Sequence, residues 1–231
     1  MNILVTGASK GIGNVIATEL SSLGNVFVTG RNESALKCFK SYCVCDLSTD
    51  TESLEQFIKD NNIDVLINNA GEYIYSELEK MSKVDIQRLY QVNLISPAKL
   101  ISVAIPNMKK NRWGRIINIG SISGVMGEAY ASIYSSSKSG LVGLTKALAL
   151  ELAEYNITVN TINPGWVETN LGLNSIEESE FTKEEIMDLI PQKRFVKPEE
   201  IAKLCQYLIS EDAKGITGQA LNVCAGLSVG I

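Results

Sequence analysis

The stretch IYSSSKSG places Tyr134 and Lys138 four residues apart. In a helix, residues i and i+4 lie on one face, so a phenol and an ammonium would point in the same direction. The chain contains no histidine, which is the residue that most often transfers protons near neutral pH. The Tyr134 and Lys138 pair is therefore a candidate for proton chemistry. The alternative is a surface pair with an incidental contact.

A tyrosine beside a lysine is suited to the proton transfer that reduction of a carbonyl group requires. A free phenol has a pKa of about 10 and gives up its proton reluctantly at neutral pH. A nearby ammonium stabilises the phenolate and lowers that pKa, each unit being worth about 1.4 kcal/mol. Such a phenol can protonate a carbonyl oxygen that receives hydride from a nicotinamide. We therefore predict that Tyr134 is the acid–base group and that Lys138 lowers its pKa.

Short apolar runs alternate with longer helical patterns along most of the chain. This alternation predicts a parallel sheet with helices on both faces, that is, an α/β fold of the Rossmann-type doubly wound kind. No linker or repeat divides the chain, so we expect one dinucleotide-binding catalytic domain over residues 1–231. The seven predicted strands lie at 3–7, 26–30, 42–46, 64–69, 114–121, 157–165 and 219–223.

The regular alternation breaks at about 166–196, where the sequence is polar and acidic in its middle. Long irregular segments in compact domains are usually lids, binding loops or mobile segments. We predict a substrate loop or lid here. The alternative is a solvated insertion without a function.

The first strand ends in TGASKGIG, which contains Gly7, Gly11 and Gly13 with Ser9 and Ile12 between them. Glycines at such a turn let backbone amides approach a pyrophosphate at the positive end of the following helix. The spacing is GxxxGxG instead of GxGxxG. A tight strand-to-helix turn also needs glycine, but the position in the first βαβ unit predicts a dinucleotide site.

The second strand ends in VTGRN, where an NAD-binding fold usually has an acidic residue for the ribose hydroxyls. Arg31 stands there instead, and Lys10 adds a second cation from the glycine turn. We expect them to bind a 2′-phosphate with no carboxylate to repel it, so NADP(H) is favoured over NAD(H). The alternative is two solvated surface cations. Asp46, followed by Leu47, is predicted to contact the adenine, or else to cap the next segment.

Several motifs occur together in a fixed order, and this order resembles the classical short-chain dehydrogenases/reductases over essentially the whole chain. The resemblance implies that Asn93 holds a water that resupplies protons through Lys138, and that Lys138 contacts the nicotinamide ribose. The alternative for Asn93 is an amide that satisfies backbone groups inside a helix. The matching motifs are TGASKGIG (6–13), NNAG (68–71), QVN (91–93), INIGS (117–121), YSSSK (134–138) and NPGWVET (163–169).

Ser121 is the predicted partner of the substrate oxygen, which it would fix against the phenol of Tyr134. The resemblance supports this choice, because the family serine lies thirteen residues before the tyrosine, whereas Ser123 misses that spacing. The resemblance also implies further cofactor contacts around the adenosine ribose and the nicotinamide carboxamide. These are Asn69, Ala70, Gly71, Pro164, Gly165, Val167 and Thr169.

The segment from 191 to 223 looks most like the 3-oxoacyl carrier-protein reductases of that family. The resemblance implies that an acidic carrier protein docks on basic residues near the active site, and Arg112 in NRWGR is suitably placed for this. However, Glu154 and Tyr155 stand where a basic residue is common, and the segment 177–185 is acidic. Docking of a carrier protein is therefore doubtful. The resemblance also implies a homotetramer that pairs the helices at 84–111 and 135–155.

Composition excludes several other classes. The formal net charge of -5 argues against nucleic acid and anionic membrane surfaces as partners. No apolar run approaches the ~20 residues of a membrane span, and the first residues lack the pattern of a signal peptide. Five scattered cysteines without histidine favour free thiols in the cytoplasm over a metal site.

These observations predict an NADPH-dependent enzyme that reduces a ketone to a secondary alcohol, with a small-molecule or thioester-bound 3-oxo substrate. One alternative is a dehydrogenase or reductase of another substrate class, such as a sugar or a secondary alcohol. The other is a non-catalytic NADP-binding regulator. Intact Ser121, Tyr134 and Lys138 argue against the regulator, because binding alone does not need acid–base geometry.

Overall fold

All seven predicted strands are present and form one parallel sheet, which confirms the predicted fold class. The computed structural model describes residues 1–169, 172, 176 and 182–229. The apolar residues of the central strands at 2–6, 65–68, 114–119 and 157–164 are buried, as expected for a parallel sheet that is covered on both faces. The strands are β1 (Asn2–Thr6), β2 (Asn25–Gly30), β3 (Ser41–Val44), β4 (Val65–Asn68), β5 (Gly114–Ile119), β6 (Ile157–Pro164) and β7 (Ala220–Val223).

The order of the strands in the sheet is β3-β2-β1-β4-β5-β6-β7. The chain therefore builds outward from β1 to β3, returns to β4 beside β1, and builds outward in the other direction. β1 and β4 are the adjacent strands at which the direction reverses, and in this pair Ile3 is in register with Val65 and Val5 with Ile67. Ligands of such sheets bind beyond the carboxyl ends of the strands at the switch point. The loops that follow β1 and β4 are therefore expected to form the site.

Helices connect successive strands and lie on both faces of the sheet. None of the helices in the described part of the chain has the length and hydropathy that a transmembrane span requires. The α-helices are α1 (Gly11–Leu20), α2 (Glu33–Leu36), α3 (Glu52–Asp60), α4 (Lys83–Tyr90), α5 (Ser96–Asn111), α6 (Ser123–Met126), α7 (Ser132–Leu152), α8 (Lys183–Leu189) and α9 (Pro198–Leu208).

Two layers of apolar side chains hold the helices to the sheet. Alternate residues of β1 point to opposite faces, so that Ile3 and Val5 pack with α1 and α9, whereas Leu4 packs with α3, α5 and α7. All three are fully buried, and each such burial stabilises the fold by roughly 1.5–3 kcal/mol. This packing fixes the strand ends from which the site is built.

A π-helical turn, Gln91–Ile95, joins α4 to α5. Such turns hold one more residue than an α-helical turn and occur frequently at functional sites. Here the turn contains Asn93, whose side chain is fully buried.

The predicted lid at about 166–196 is only partly described, because residues 170, 171, 173–175 and 177–181 lie outside the described residues. Its described part is more regular than expected. Thr182 and Glu185 form a capping box at the start of α8, a signature of Thr and Glu three residues apart. Ile186, Ile190 and Phe195 then pack in a small apolar cluster, and Val167 forms a β-bridge with Val196. The described part of the segment is therefore packed against the domain.

Candidate active site

A cavity of about 930 Å³ lies at the carboxyl ends of the strands. Ligand sites typically enclose about 300–1,000 Å³, so it has room for a dinucleotide and a small substrate. Most residues predicted to bind the cofactor line it. They are Gly7, Ser9, Lys10, Gly11, Ile12, Arg31, Asp46, Leu47, Asn69, Ala70, Gly71, Tyr134, Lys138, Pro164, Gly165, Val167 and Thr169. Gly13 and Asn93 are not among its lining residues.

The glycine turn after β1 has the backbone that the sequence predicted. Gly7 has a φ of 68° and Gly11 a φ of 59°, in the left-handed region that favours glycine. A Cβ atom on Gly7 would lie 2.8 Å from the Ala70 Cα atom, so the turn also packs against the loop after β4. Gly7 therefore meets both a conformational and a steric requirement.

The N-terminus of α1 is open toward the cavity. Its N-cap residue, Lys10, has an extended backbone and makes no side-chain cap, and the first turn contains no acidic residue. The buried Ser9 hydroxyl beside it has no hydrogen-bond partner among the described residues. Uncapped backbone amides at a helix N-terminus are a ready site for a pyrophosphate, so these residues fit a bound dinucleotide.

Gly13 lies behind the turn instead of facing the cavity. A Cβ atom there would lie 2.3 Å from the Asn69 Nδ2 atom and 2.6 Å from the Gly7 carbonyl oxygen. Asn69 Nδ2 donates to the carbonyl oxygens of Thr6 and Gly7. The third glycine of the motif thus permits close packing of helix and strand, and its predicted contact with the cofactor stays a prediction.

Arg31, which follows β2, forms an ion pair with Glu72. Its Nη1 atom donates to the Glu72 carboxylate at 2.8 Å, and Glu72 also accepts two hydrogen bonds from Arg88, at 2.6 and 2.8 Å. The expectation that no carboxylate stands near the 2′-phosphate position was therefore wrong. Glu72 follows the NNAG motif directly, but 41 residues separate it from Arg31 in the sequence.

Asp46 accepts a hydrogen bond from the Ser48 backbone N–H at 2.9 Å, which agrees with the capping role considered for it. Partial burial raises the pKa of Asp46, but hydrogen bonds from Ser48 and the charges of Arg31 and Arg88 outweigh this effect and hold the pKa below its usual value. The carboxylate lines the cavity and is ionised at neutral pH. Its predicted contact with an adenine amino group stays a prediction.

Tyr134 and Lys138 lie on one face of α7 and both line the cavity. The Lys138 Nζ atom is 5.7 Å from the Tyr134 ring centre and donates to the Ile119 carbonyl oxygen at 2.9 Å. Burial lowers the pKa of Lys138 to about 8. The i,i+4 spacing thus places a buried lysine beside a partly buried tyrosine in the cavity wall, and the incidental surface contact considered as the alternative is wrong.

The pKa of Tyr134 is not lowered, as we had expected, but raised to about 12. Burial of the phenol is the main cause, because a phenolate loses hydration in the protein interior. The hydroxyl of Ser121 acts in the opposite direction, and the charge of Glu128 raises the value further. The neighbouring ammonium therefore does not overcome burial, and Tyr134 is a protonated acid at neutral pH.

Ser121 lies just after β5, and its hydroxyl group is hydrogen-bonded to that of Ser123. Its Oγ atom donates to the Ser123 Oγ atom at 3.1 Å and accepts from the Ser123 backbone N–H at 3.1 Å. The Ser123 hydroxyl in turn donates to Glu128 at 2.5 Å. Both serines line the cavity, so the structure brings Ser121 to Tyr134 as predicted and adds Ser123 behind it.

Sequence reasoning missed a carboxylate beside the catalytic group. Glu128 accepts from Ser123 on one oxygen and from the Tyr73 phenol, at 2.8 Å, on the other. The Tyr73 ring packs edge-on against Tyr134, with ring centres 5.0 Å apart, and burial and Glu128 raise the pKa of Tyr73. The only sequence signal was the position of Glu128, seven residues after Ser121.

Asn93 is buried behind the cavity. Its Oδ1 atom accepts from the Glu72 N–H, and its Nδ2 atom donates to the Glu72 carbonyl oxygen and to the Ser137 hydroxyl. The side chain therefore satisfies backbone groups, as the alternative proposed. Asn93 Oδ1 and Lys138 Nζ nevertheless flank the same side of Gly71. A link from Asn93 to Lys138 through water stays a prediction.

Arg112 lies at the amino-terminal ends of the strands, whereas the cavity lies at their carboxyl ends. It follows α5 and precedes β5, and its guanidinium donates to the Glu154 carbonyl oxygen at 2.7 Å. Ser121 follows the far end of β5, which at about 3.3 Å per residue is roughly 20 Å away. Arg112 is therefore not beside the catalytic group, and the suggestion that it is suitably placed for carrier docking near the site was wrong.

No three His, Cys, Asp or Glu side chains of the described residues come together in a way that could hold a metal ion. The five cysteines are free thiols. The charged side chains that line the cavity in the described ranges are Lys10, Arg31, Asp46, Glu72, Glu128 and Lys138.

Comparisons with known proteins agree with this geometry. A family model described as enoyl-(acyl carrier protein) reductase matches residues 7–228. The 3-oxoacyl-acyl-carrier-protein reductase FabG of Buchnera aphidicola is 38% identical, with 97% of this chain and 96% of that protein covered. The FabG protein of Aquifex aeolicus is 35% identical with the same coverage.

Solved structures give the same result. A variant of actinorhodin polyketide ketoreductase with NADPH superimposes with a TM-score of 0.93 at 34% identity, covering 99% of this chain and 97% of that one. An oxidoreductase of the short-chain dehydrogenase/reductase family from Burkholderia thailandensis has a TM-score of 0.88 at 27% identity, covering 98% and 92%. This chain belongs to the short-chain dehydrogenase/reductase family.

Proposed function

We propose that the protein is an NADPH-dependent ketoreductase that reduces a 3-oxo group, carried on a thioester, to a secondary alcohol. One observation carries this proposal. Ser121, Tyr134 and Lys138 converge on one wall of a cavity whose other end is a glycine turn at an open helix N-terminus. A catalytic acid and a dinucleotide site in one cavity are what hydride reduction of a carbonyl requires.

The residues of the turn would hold the cofactor. The amides at the start of α1 and the Ser9 hydroxyl would bind the pyrophosphate, and Arg31 with Lys10 would bind the 2′-phosphate. Lys138 would reach the nicotinamide ribose. When bound, the cofactor supplies a hydride from C4 of the nicotinamide. The relatives named above support NADPH, because one solved structure holds it.

The chain's own residues supply the proton and the orientation. The Ser121 hydroxyl would turn from Ser123 to donate to the substrate oxygen, which fixes the carbonyl against the phenol. Tyr134 would give its proton to that oxygen as it gains negative charge, so that hydride and proton together convert the ketone to the alcohol. The raised pKa of Tyr134 keeps the phenol protonated at neutral pH, so the proton is in place when the ketone binds.

The test follows NADPH oxidation by absorbance with an acetoacetyl thioester as substrate. We expect turnover by the wild type and a loss of about 100-fold or more in Tyr134→Phe, because general acid catalysis contributes roughly 10²–10⁴. Tyr207→Phe, on the exposed face of α9, is the matched control and should leave turnover unchanged. NADPH binding, measured by nicotinamide fluorescence, should be similar in all three proteins.

The same assay separates the rival functions. A crotonyl thioester offers a C=C bond instead of a ketone, so preferential turnover of it would replace our proposal by the enoyl reduction that the family model names. Oxidation of a sugar or simple secondary alcohol with NADP⁺, followed as NADPH formation, without reduction of the 3-oxo thioester would move the substrate to another class. NADPH binding with no turnover of any of these would indicate a regulator.

We extend the proposal to the assembly and to the segment over the cavity. A homotetramer that pairs α4, α5 and α7 is supported by large apolar side chains exposed on two of these helices, Val84 and Leu150, which are 70% and 84% exposed, since an interface would remove them from water. Light scattering after size exclusion tests it, with Leu150→Glu expected to reduce the mass. Ile186 and Leu189 of α8 line the cavity, which supports a substrate-covering role for the segment 166–196 within one catalytic domain.

The reducing cytoplasm is the proposed location. Five free thiols, of which Cys45 and Cys205 are buried with raised pKa values, suit a compartment in which thiols stay reduced. Carrier-protein docking is not part of the proposal. A thioester of a small thiol is therefore the substrate of choice for the first assay.

A further inference from the structure

Glu128 places a carboxylate at the substrate end of the cavity, two hydrogen bonds from the serine that would hold the substrate oxygen. The first bond joins Ser121 to Ser123 at 3.1 Å and the second joins Ser123 to Glu128 at 2.5 Å. Glu128, Ser121 and Tyr134 all line the cavity. Nothing in the reduction described above uses this carboxylate, so its presence calls for a function.

The hydrogen bonds of Glu128 leave it able to accept more. One carboxylate oxygen accepts from Ser123 and the other from Tyr73. An ionised carboxylate has about four lone-pair sites, so each oxygen retains one for a further donor. A substrate hydroxyl or amide N–H is a suitable donor, whereas a substrate carboxylate offers none.

The charges around Glu128 do not neutralise it fully. Among the described lining residues, the other charged group at this end is Lys138, which donates to the Ile119 carbonyl oxygen. The cations Arg31 and Lys10 belong to the glycine-turn end, where Arg31 pairs with Glu72. A second anion near Tyr134 would therefore meet Glu128 in a partly buried site, where like charges repel strongly.

We propose that Glu128 is a specificity-determining residue that excludes free 3-oxo acids and admits their neutral esters and thioesters, including chains that carry hydroxyl or amide donors. This inference rests on the proposed ketoreductase function and names the form in which its substrate must arrive. The carboxyl group of the substrate must be esterified before reduction. The reaction that supplies the substrate is therefore an acyl transfer or condensation that leaves the thioester intact.

The test compares two substrates that share the 3-oxo group and differ in charge, ethyl acetoacetate and acetoacetate. The wild type with NADPH should reduce the ester with the higher kcat/KM. In Glu128→Gln, which keeps the size and an acceptor oxygen, the acetoacetate-to-ester ratio of kcat/KM should rise by about tenfold or more, because a like-charge contact is removed.

Two further variants separate charge from structure. Tyr73→Phe removes one hydrogen bond to Glu128 but keeps its charge, so the ratio should stay at the wild-type value. Glu199→Gln removes a carboxylate on the exposed start of α9 and should have no effect. An equal change for both substrates in Glu128→Gln would overturn the proposal, since it would assign Glu128 a structural role alone. Equal kcat/KM values for acid and ester in the wild type would also overturn it.

Failure of the proposed function gives a different result. In that case the wild type reduces neither substrate, while binding to the protein–NADPH complex can still be followed through nicotinamide fluorescence. The inference about Glu128 then predicts that acetoacetate binds only in Glu128→Gln. Equal binding of acetoacetate to the wild type would reject it on its own terms.

Discussion

Both ends of the cavity contain cationic side chains. Those at the glycine-turn end are exposed to water, whereas the one at the catalytic end is buried. Arg31 is 58% exposed and Arg88 is 42% exposed, and both share the carboxylate of Glu72. Lys138 is 4% exposed and donates to a backbone carbonyl. Water screens the first group and not the second. In the proposed function, selectivity for the cofactor would therefore depend on exposed charges, whereas proton transfer would depend on the buried ammonium of Lys138.

The comparison predicts different sensitivities at the two ends. A buried group loses hydration and shifts its pKa, so replacing it should change the chemistry. An exposed ion pair contributes little energy by itself, so replacing one of its members should change cofactor affinity and leave the proton chemistry in place.

The largest effect is expected for Lys138→Met, which keeps the length of the side chain and removes the ammonium from the catalytic end. The turnover number should fall by roughly 10²–10⁴, the range of general acid–base catalysis. Rapid kinetics with saturating NADPH measures it. Lys146→Met, on the same helix and outside the residues that line the cavity, is the control. A loss of less than threefold would mean that the buried ammonium does not assist Tyr134.

The pH dependence of reduction should follow the pKa of Lys138, which burial lowers to about 8, and not that of Tyr134, which is about 12. Lys138 loses its charge as the pH rises through 8, so log kcat/KM should fall by about one unit per pH unit above that value. A simple ketone assayed between pH 6 and 10 gives the profile. A flat profile up to pH 10 would remove Lys138 from the proton chemistry.

At the exposed end, Arg31→Asp should weaken NADPH binding by roughly 10–100-fold, because it removes a charge-assisted hydrogen bond to the phosphate. NADH has no 2′-phosphate and should bind about as well as before. Fluorescence titration with both cofactors measures the ratio. If NADH bound as tightly as NADPH to the wild type, Arg31 and Lys10 would not form a phosphate site.

The smallest effect is expected for Glu72→Gln, which frees Arg31 from its carboxylate partner. NADPH binding should tighten by roughly two- to fivefold, in line with the modest energy of exposed ion pairs, and added salt should reduce the difference. NADH affinity serves as the internal control. Weaker NADPH binding would show that Glu72 orients Arg31 instead of competing for it.

Local sequence predicted most of the fold and the common location of the candidate catalytic side chains in one cavity. The strands follow from apolar runs, and the i,i+4 spacing of Tyr134 and Lys138 fixes their common face whatever the rest of the chain does. The glycine turn is likewise a local property. These features need only a few neighbouring residues, so they can be inferred without knowing how distant segments meet.

Contacts between distant segments could not be predicted in this way. Glu72 contacts Arg31 because the carboxyl ends of the parallel strands β2 and β4 lie on the same side of the sheet. Glu128 contacts Tyr73, from which it is 55 residues away in the sequence. The raised pKa of Tyr134 has the same origin, because it depends on how many atoms from other elements bury the phenol. Spacing told us which groups are near each other and not what surrounds them.

The π-helical turn at Gln91–Ile95 rotates the side chains of α5 about the helix axis relative to those of α4. In an α-helix each residue advances by about 100°, so one additional residue rotates everything beyond it by that angle. Deletion of one residue before Asn93, such as Val92, would remove that additional rotation. The same deletion would turn Asn93 away from both backbone groups of Glu72, and the loop that carries Arg31's partner would lose its anchor.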